Sequence, residues 1–387
     1  MQHLGISIDD LKSLGGLHTA SEICQQPTLW RKIYSLINKE KGKLVSFLDR
    51  NSFQKIILTG AGTSAYIGES LVGSFHREQS TFVNAVPTTN LVSHPYDYFS
   101  SKERILLISF ARSGNSPESK AAVVLADEIC ANCTHLIITC NSEGELANYR
   151  FKGDQYILCL PEETNDKSLA MTSSYSGMLL AGLLIARINK IETLKETVEM
   201  ASSYAETVLT KHLQTLKDIA SLNFKRAVFL GSGPLLGTAT ESHLKLQELT
   251  DGAIICINES FLGFRHGPKA VVDNETLIIY LLSNSSYASK YEHDLIFAME
   301  KGKKALAQLA VAEKFDFELG VEYNIGYTDN GTALDEDFMT LPSVLPGQIL
   351  GFFKSLNEGL QPDQPSSSGA ISRVVQGVNI YDLPLKK

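Results

Sequence analysis

Only six cysteines are scattered through the 387 residues, with no regular spacing. That scarcity excludes a disulfide framework, and thiols so placed are expected in a reduced, cytoplasmic chain. Basic runs are missing as well. The formal net charge is −8, which argues against nucleic acid or an anionic membrane as the main partner. Long apolar runs are also lacking. The longest, MLLAGLLIARI at 178–188, is too short to cross a bilayer and already carries Arg187, so it is expected to be a buried helix. The opening MQHLGISIDD has neither the basic start nor the apolar core of a signal peptide. The one tryptophan, Trp30, is expected to anchor an N-terminal helix rather than to stack on a ligand.

What is present is an α/β pattern long enough for two domains with full cores. Residues 1–44 are expected to form a helical arm, on the pattern SEICQQPTLWRKIYSLINKEKGKLVSFL. Beyond it, apolar runs alternate with helical patterns: FQKIILTG (53–60), RILLISF (104–110), HLIITC (135–140), QYILCL (155–160), RAVFLG (226–231), AIICI (253–257) and TLIIYLLS (276–283). Continuous apolar character predicts strands buried on both faces, hence a parallel sheet flanked by helices.

The pattern repeats. LTGAGTSAYIG (58–68) matches LGSGPLLGTAT (230–240), and ILLIS (105–109) matches LIIYL (277–281), both at an offset of 171. One offset across two strands implies two copies of a single unit, 45–205 and 215–387. The stretch TVLTKHLQTLKD (207–218) is expected to be a helix at the join. The copies differ at one turn: Ser113, Gly114, Asn115 and Ser116 fall on Asn284, Ser285, Ser286 and Tyr287. The second copy lacks the glycine, so any ligand held by this turn is expected in the first copy.

That turn is ARSGNSPE (111–118). Ser116 suits an N-cap and Pro117 the first helical position. Ser113, Gly114 and Asn115 add hydrogen-bonding groups and a residue free to take positive φ. A second such turn, Gly60-Ala61-Gly62-Thr63-Ser64, follows the preceding strand. Two turns of this kind at the carboxyl ends of parallel strands face one crevice and form an anion site suited to phosphate. The GAGTS turn lacks the lysine of a nucleotide P-loop. Gly62 is next followed by Gly68, too far for a dinucleotide fingerprint.

These residues and the duplication resemble the sugar isomerase (SIS) family, whose domains bind phosphosugars through a strand–GxxS turn and a Ser-x-Ser-Gly-x-Ser/Thr turn. In this chain the first serine of the second motif is Ala111. LKLQE (244–248) and RHGP (265–268) resemble the LKLKE helix and KHGP loop of the family's two-domain members. HTASEICQQPTLW (18–30), SLAMTSSYS (168–176), FLGFRHGPKAVVD (261–273) and ISRVVQGVNIYD (371–382) are similar to its galactosamine-6-phosphate deaminase/isomerase branch. The resemblance implies tandem flavodoxin-like SIS domains and the deaminating isomerisation of an amino-sugar 6-phosphate, with no cofactor and no metal. It also implies a homodimer or higher homo-oligomer. Glucosamine-6-phosphate deamination, plain aldose–ketose isomerisation and non-catalytic phosphosugar sensing stay open as alternatives.

Residue by residue, the resemblance makes Glu248 the base. It sends His266 into a neighbouring subunit's site, where it would assist ring opening. Phosphate would fall to Gly62, Thr63, Ser64, Arg112, Ser113, Gly114, Asn115 and Ser116. Ser173, Glu241, Lys245 and Arg373 are expected as further substrate contacts, Arg373 standing about where relatives carry a lysine. Glu241, Lys245 and Glu248 are spaced i, i+4, i+7 and share one helical face. PSSSG (365–369) is expected to hinge a C-terminal segment over the site. Cys130 and Cys133 form a CxxC with no second pair and are expected to pack rather than bind zinc.

Overall fold

The computed structural model describes residues 2–383 apart from Phe317, Asn330 and Gln376. Two five-stranded parallel sheets organise it. The first contains, in chain order, Lys55–Thr59, Phe82–Ala85, Arg104–Ala111, Asn132–Thr139 and Gln155–Cys159. The second contains Arg226–Leu230, Ile255–Glu259, Thr276–Leu281, Ala307–Ala312 and Tyr323–Gly326. In space both follow the order second, first, third, fourth, fifth, the flavodoxin-like winding whose switch point lies between the first and third strands. The tandem α/β architecture matches the sequence expectation.

The offset of 171 survives in the hydrogen-bond register. Leu58 pairs with Ile108 in the first sheet, and Phe229 pairs with Ile279 in the second. It survives in the turns as well. Gly62 has φ 54 and ψ −130, and Gly233 has φ 56 and ψ −128.

The strands alternate between two environments because successive side chains point to opposite faces. Ile56, Leu58, Leu106 and Ile108 share a core with Phe229, Leu277 and Ile279 of the other sheet. Ile57, Ile105 and Leu107 face a separate outer cluster, as do Val228, Leu230, Ile278 and Tyr280 on the second sheet. The helices that contribute to the shared core include Thr63–Gln79, Ser173–Ala186, Pro234–Leu249 and Glu336–Asn357. The two copies are therefore fused through one hydrophobic interior. Helix Ser173–Ala186 is buried along its whole length, and among the described residues no helix is long and apolar enough to cross a membrane.

The N-terminal arm is chiefly one helix, Leu17–Arg50. Trp30 is fully buried in it, and its indole donates to Ser176 Oγ at 3.0 Å. Ser176 donates to Gln26 Oε1 at 2.7 Å, and Gln26 donates to Gln348 Oε1 at 2.7 Å. A buried polar chain of this kind fixes the packing of the helices it joins.

The expected helix over 207–218 is instead two, Lys195–Lys211 and Leu213–Ala220. His212 separates them with φ −106 and ψ 1, and its ring Nε2 lies 2.8 Å from the Gly326 carbonyl, tying the join to the end of an edge strand. Cys133 is buried near His135, whose Nε2 lies 2.9 Å from Asp127. Among the described residues no cluster of His, Cys, Asp or Glu is arranged to hold a metal ion.

Candidate active site

The two turns of the first copy sit at its switch point. Gly62 takes positive φ and releases the chain into helix Thr63–Gln79. Gly114, at φ 68, does the same for helix Pro117–Ile129, which Ser116 caps by accepting from the Ser119 amide. The second turn is buttressed from behind: Asn141 Nδ2 donates to the Ser113 carbonyl at 2.9 Å, and the Leu146 amide donates to Gly114 O at 3.0 Å. These two helices pack on opposite faces of the sheet, which opens the crevice between the turns.

In the second copy the crevice is filled. The Ser283 amide donates to Glu292 Oε2 at 2.9 Å and Asn284 Nδ2 to Glu313 Oε2 at 2.9 Å. No residue from 283 to 287 takes positive φ.

A cavity of about 530 Å³ lies over the turns of the first copy, reached by Thr63, Ser64, Ser113 and Ser116. The other copy supplies its catalytic-looking wall. Helix Pro234–Leu249 crosses helix Thr63–Gln79 closely, because a Cβ on Gly237 would lie 2.4 Å from Ser70 Oγ and 2.7 Å from its amide. Glycine there lets the helices meet. Lys245 then reaches Thr63, and its ammonium lies 3.0 Å from Thr63 Oγ1 and 2.6 Å from Glu248 Oε2. Glu241 Oε1 lies 3.4 Å from the same ammonium, an ion-pair distance, while neither Glu241 oxygen has a hydrogen-bond partner among the described residues. The shared helical face inferred from spacing is thus an acid–ammonium–acid row, with Glu241 and Lys245 fully buried and Glu248 partly exposed.

Burial pushes the Glu241 carboxyl from the ordinary 4.5 up to about 8, against the pull of Lys245. Burial alone would lower Lys245, but Glu241 and Glu248 outweigh it and hold the ammonium above its ordinary range. A raised carboxyl keeps its proton in the fold at a pH where the unfolded chain has lost it. Its contribution to stability is therefore full below about 4.5 and lost as pH rises towards 8. His243 and His293, lowered by burial, act in the opposite direction. The difference between two proteins isolates the carboxyl: the melting temperature of Glu241→Gln, relative to wild type, is expected to climb as pH goes from 5 to 8. Parallel pH–melting curves would contradict this assignment.

Comparison with known proteins is decisive. A SIS domain matches residues 51–187. The D-galactosamine-6-phosphate deaminase AgaS of Shewanella sp. strain ANA-3 is 41% identical over 386 residues, covering 98% of this chain and 95% of that protein. The chain belongs to the AgaS family of SIS-domain enzymes. A crystal structure of a Clostridium novyi protein, provisionally named a tagatose-6-phosphate ketose/aldose isomerase, is 43% identical. It covers 99% of this chain and 100% of that one at a TM-score of 0.95. The Escherichia coli tagatose-6-phosphate ketose/aldose isomerase is 34% identical, covering 95% and 97%, at a TM-score of 0.83.

In this AgaS-family chain some residues named from the sequence stand elsewhere. Asn115 turns away from the cavity, its Oδ1 accepting from the Glu145 amide at 2.9 Å. Its backbone amide is spent on Ser113 Oγ. Ser173 is buried under the site, where its hydroxyl donates to Asp166 and accepts from Gln25 at 2.9 Å. It shapes the 165–169 loop and does not line the cavity. His266 is exposed on the 265–267 turn and lies outside the cavity of its own chain.

Arg373 lines the cavity, but its guanidinium is turned onto the 165–169 loop, with Nε donating to Asp166 O at 2.9 Å and a terminal nitrogen to Asn165 Oδ1 at 2.9 Å. Arg112 is buried, donating to Leu169 O at 3.1 Å and to the Arg373 carbonyl. Sequence reasoning missed Leu169, Met171 and Ser119 in the lining. Leu169 and Met171 lie in the SLAMTSSYS stretch, and Ser119 stands three residues after the N-cap.

Proposed function

We propose that the chain converts galactosamine 6-phosphate to tagatose 6-phosphate and ammonia. One observation carries this reading: a single ammonium, Lys245 Nζ, touches both Thr63 of the phosphate-type turn and Glu248. The anion cradle and a carboxylate base therefore open into the same cavity. Ser64, Ser113 and Ser116, with the Gly62 and Gly114 backbone, hold the phosphate, and helix N-termini favour its charge. Glu248 takes the proton from C2 of the open-chain aldose and returns it to C1, leaving an imine at C2. Water adds to that carbon and ammonia departs, which gives the ketose. Lys245 holds the carboxylate in place, and a protonated Glu241 behind it keeps the row from carrying two adjacent negative charges. His266 serves ring opening in the site of a second copy of the chain.

The names of the Shewanella and E. coli relatives support this choice of substrate and product. The test is ammonia release, measured with galactosamine 6-phosphate and glucosamine 6-phosphate. Release from the galactosamine compound at the higher kcat/KM is expected. Release from neither, with isomerisation of tagatose 6-phosphate intact, would reduce the reaction to plain aldose–ketose exchange.

A further inference from the structure

Two arginines cross over the cavity. Arg112 leaves the end of the third strand, immediately before the Ser113 turn, and donates to Leu169 O and to the backbone carbonyl of Arg373. Arg373 sends its own side chain back to Asp166 O and Asn165 Oδ1. Three separate pieces meet at this point: the second turn, the 165–169 loop, and residues 369–375, which line the cavity.

Arg112 is 7% exposed, yet both of its partners are neutral carbonyls. The charged groups near it are Asp166, Glu248, Arg373 and Lys245. Asp166 is occupied at the start of helix Ser173–Ala186, accepting from the Thr172 and Ser174 amides at 2.9 Å each. Glu248 is held by Lys245. A buried guanidinium without a close counter-ion is costly to keep, and the open position beside it is the Ser113–Ser116 turn.

We propose that Arg112 is a positioning residue: a phosphate dianion in the adjoining turn supplies its missing counter-charge and so tightens residues 369–375 over the substrate. The proposal rests on the reading of that turn as the phosphate site. Arg112 then acts through the Arg373 carbonyl, making closure of the C-terminal segment conditional on an occupied cradle, as lid closure is in many enzymes. An arginine with two donors on two carbonyls suits this role, because its planar fork holds both acceptors at fixed spacing.

Hydrogen exchange of the 369–375 amides tests it, in full-length protein with and without saturating inorganic phosphate, binding being followed separately by calorimetry. Wild type is expected to bind phosphate and to exchange more slowly in this segment. Arg112→Met is expected to keep measurable phosphate binding but to lose the slowing. Its KM should rise by about ten- to a hundredfold, the scale of a lost charged hydrogen bond, with a smaller fall in kcat. Arg112→Lys should recover part of the slowing.

Phosphate binding without any slowing in wild type would overturn the coupling and leave the phosphate reading standing. Failure of wild type to bind phosphate or a sugar phosphate would overturn both. Equal slowing in wild type and Arg112→Met would assign closure to other contacts. Should Arg112→Met not fold, the wild-type comparison alone decides.

Discussion

Glu248→Gln is expected to lower kcat by about 10²–10⁴-fold, the usual contribution of a positioned general base, while a sugar phosphate still binds. The amide keeps the shape of the carboxylate and can still meet Lys245, so the fold and the phosphate turns are left intact. What it cannot do is accept the C2 proton. Loss of binding in parallel with turnover would place position 248 in ground-state recognition instead. Turnover within tenfold of wild type would remove Glu248 as the base. Steady-state kinetics together with calorimetric binding of galactosamine 6-phosphate separates the three results.

Lys245→Met is expected to damage both stability and rate. The ammonium is fully buried between Glu241 and Glu248. Its removal leaves two facing carboxyl groups with no cation and Thr63 without its partner. Breaking a buried ion pair from one side costs about 3–5 kcal/mol, and denaturant unfolding should show a loss of that order. Because the same ammonium positions Glu248, kcat should also fall in the protein that remains folded. A double variant, Lys245→Met with Glu241→Gln, should regain part of the stability but not the rate, since it removes one unpaired acid without restoring the hold on Glu248. A single variant as stable as wild type would show that the row is not an ionic unit.

Much of this was legible in the sequence, for identifiable reasons. The 171-residue offset could be read because strands buried on both faces are continuous apolar runs, and because Gly62 and Gly233 are both held at positive φ. The Glu241–Lys245–Glu248 row followed from helical periodicity alone. Three strands were harder, two of them at sheet edges. Phe82–Ala85 has only four residues, opens on an exposed phenylalanine and buries Val83 alone. Ala307–Ala312 has the alanine content of a helix, and Tyr323–Gly326 has a single buried position.

Side-chain direction was the other barrier. Asn115 and Ser173 belong to motifs that border the cavity, but their partners, the Glu145 amide and Asp166, lie 30 and 7 residues away in the chain. Nothing local says that these hydrogen bonds outcompete a ligand. Arg373 lines the cavity, and only the fold shows its guanidinium gripping the loop. The role proposed for His266 requires a second chain, which no pattern within one chain can position.

The most direct measurement is a crystal structure of the Glu248→Gln protein with galactosamine 6-phosphate bound. The phosphate is predicted to lie between Thr63–Ser64 and Ser113–Ser116, with sugar C1 and C2 about 3–3.5 Å from the side chain at position 248, the range of a near-attack arrangement. A phosphate seated in the second copy, or sugar carbons well beyond the reach of that side chain, would contradict the account.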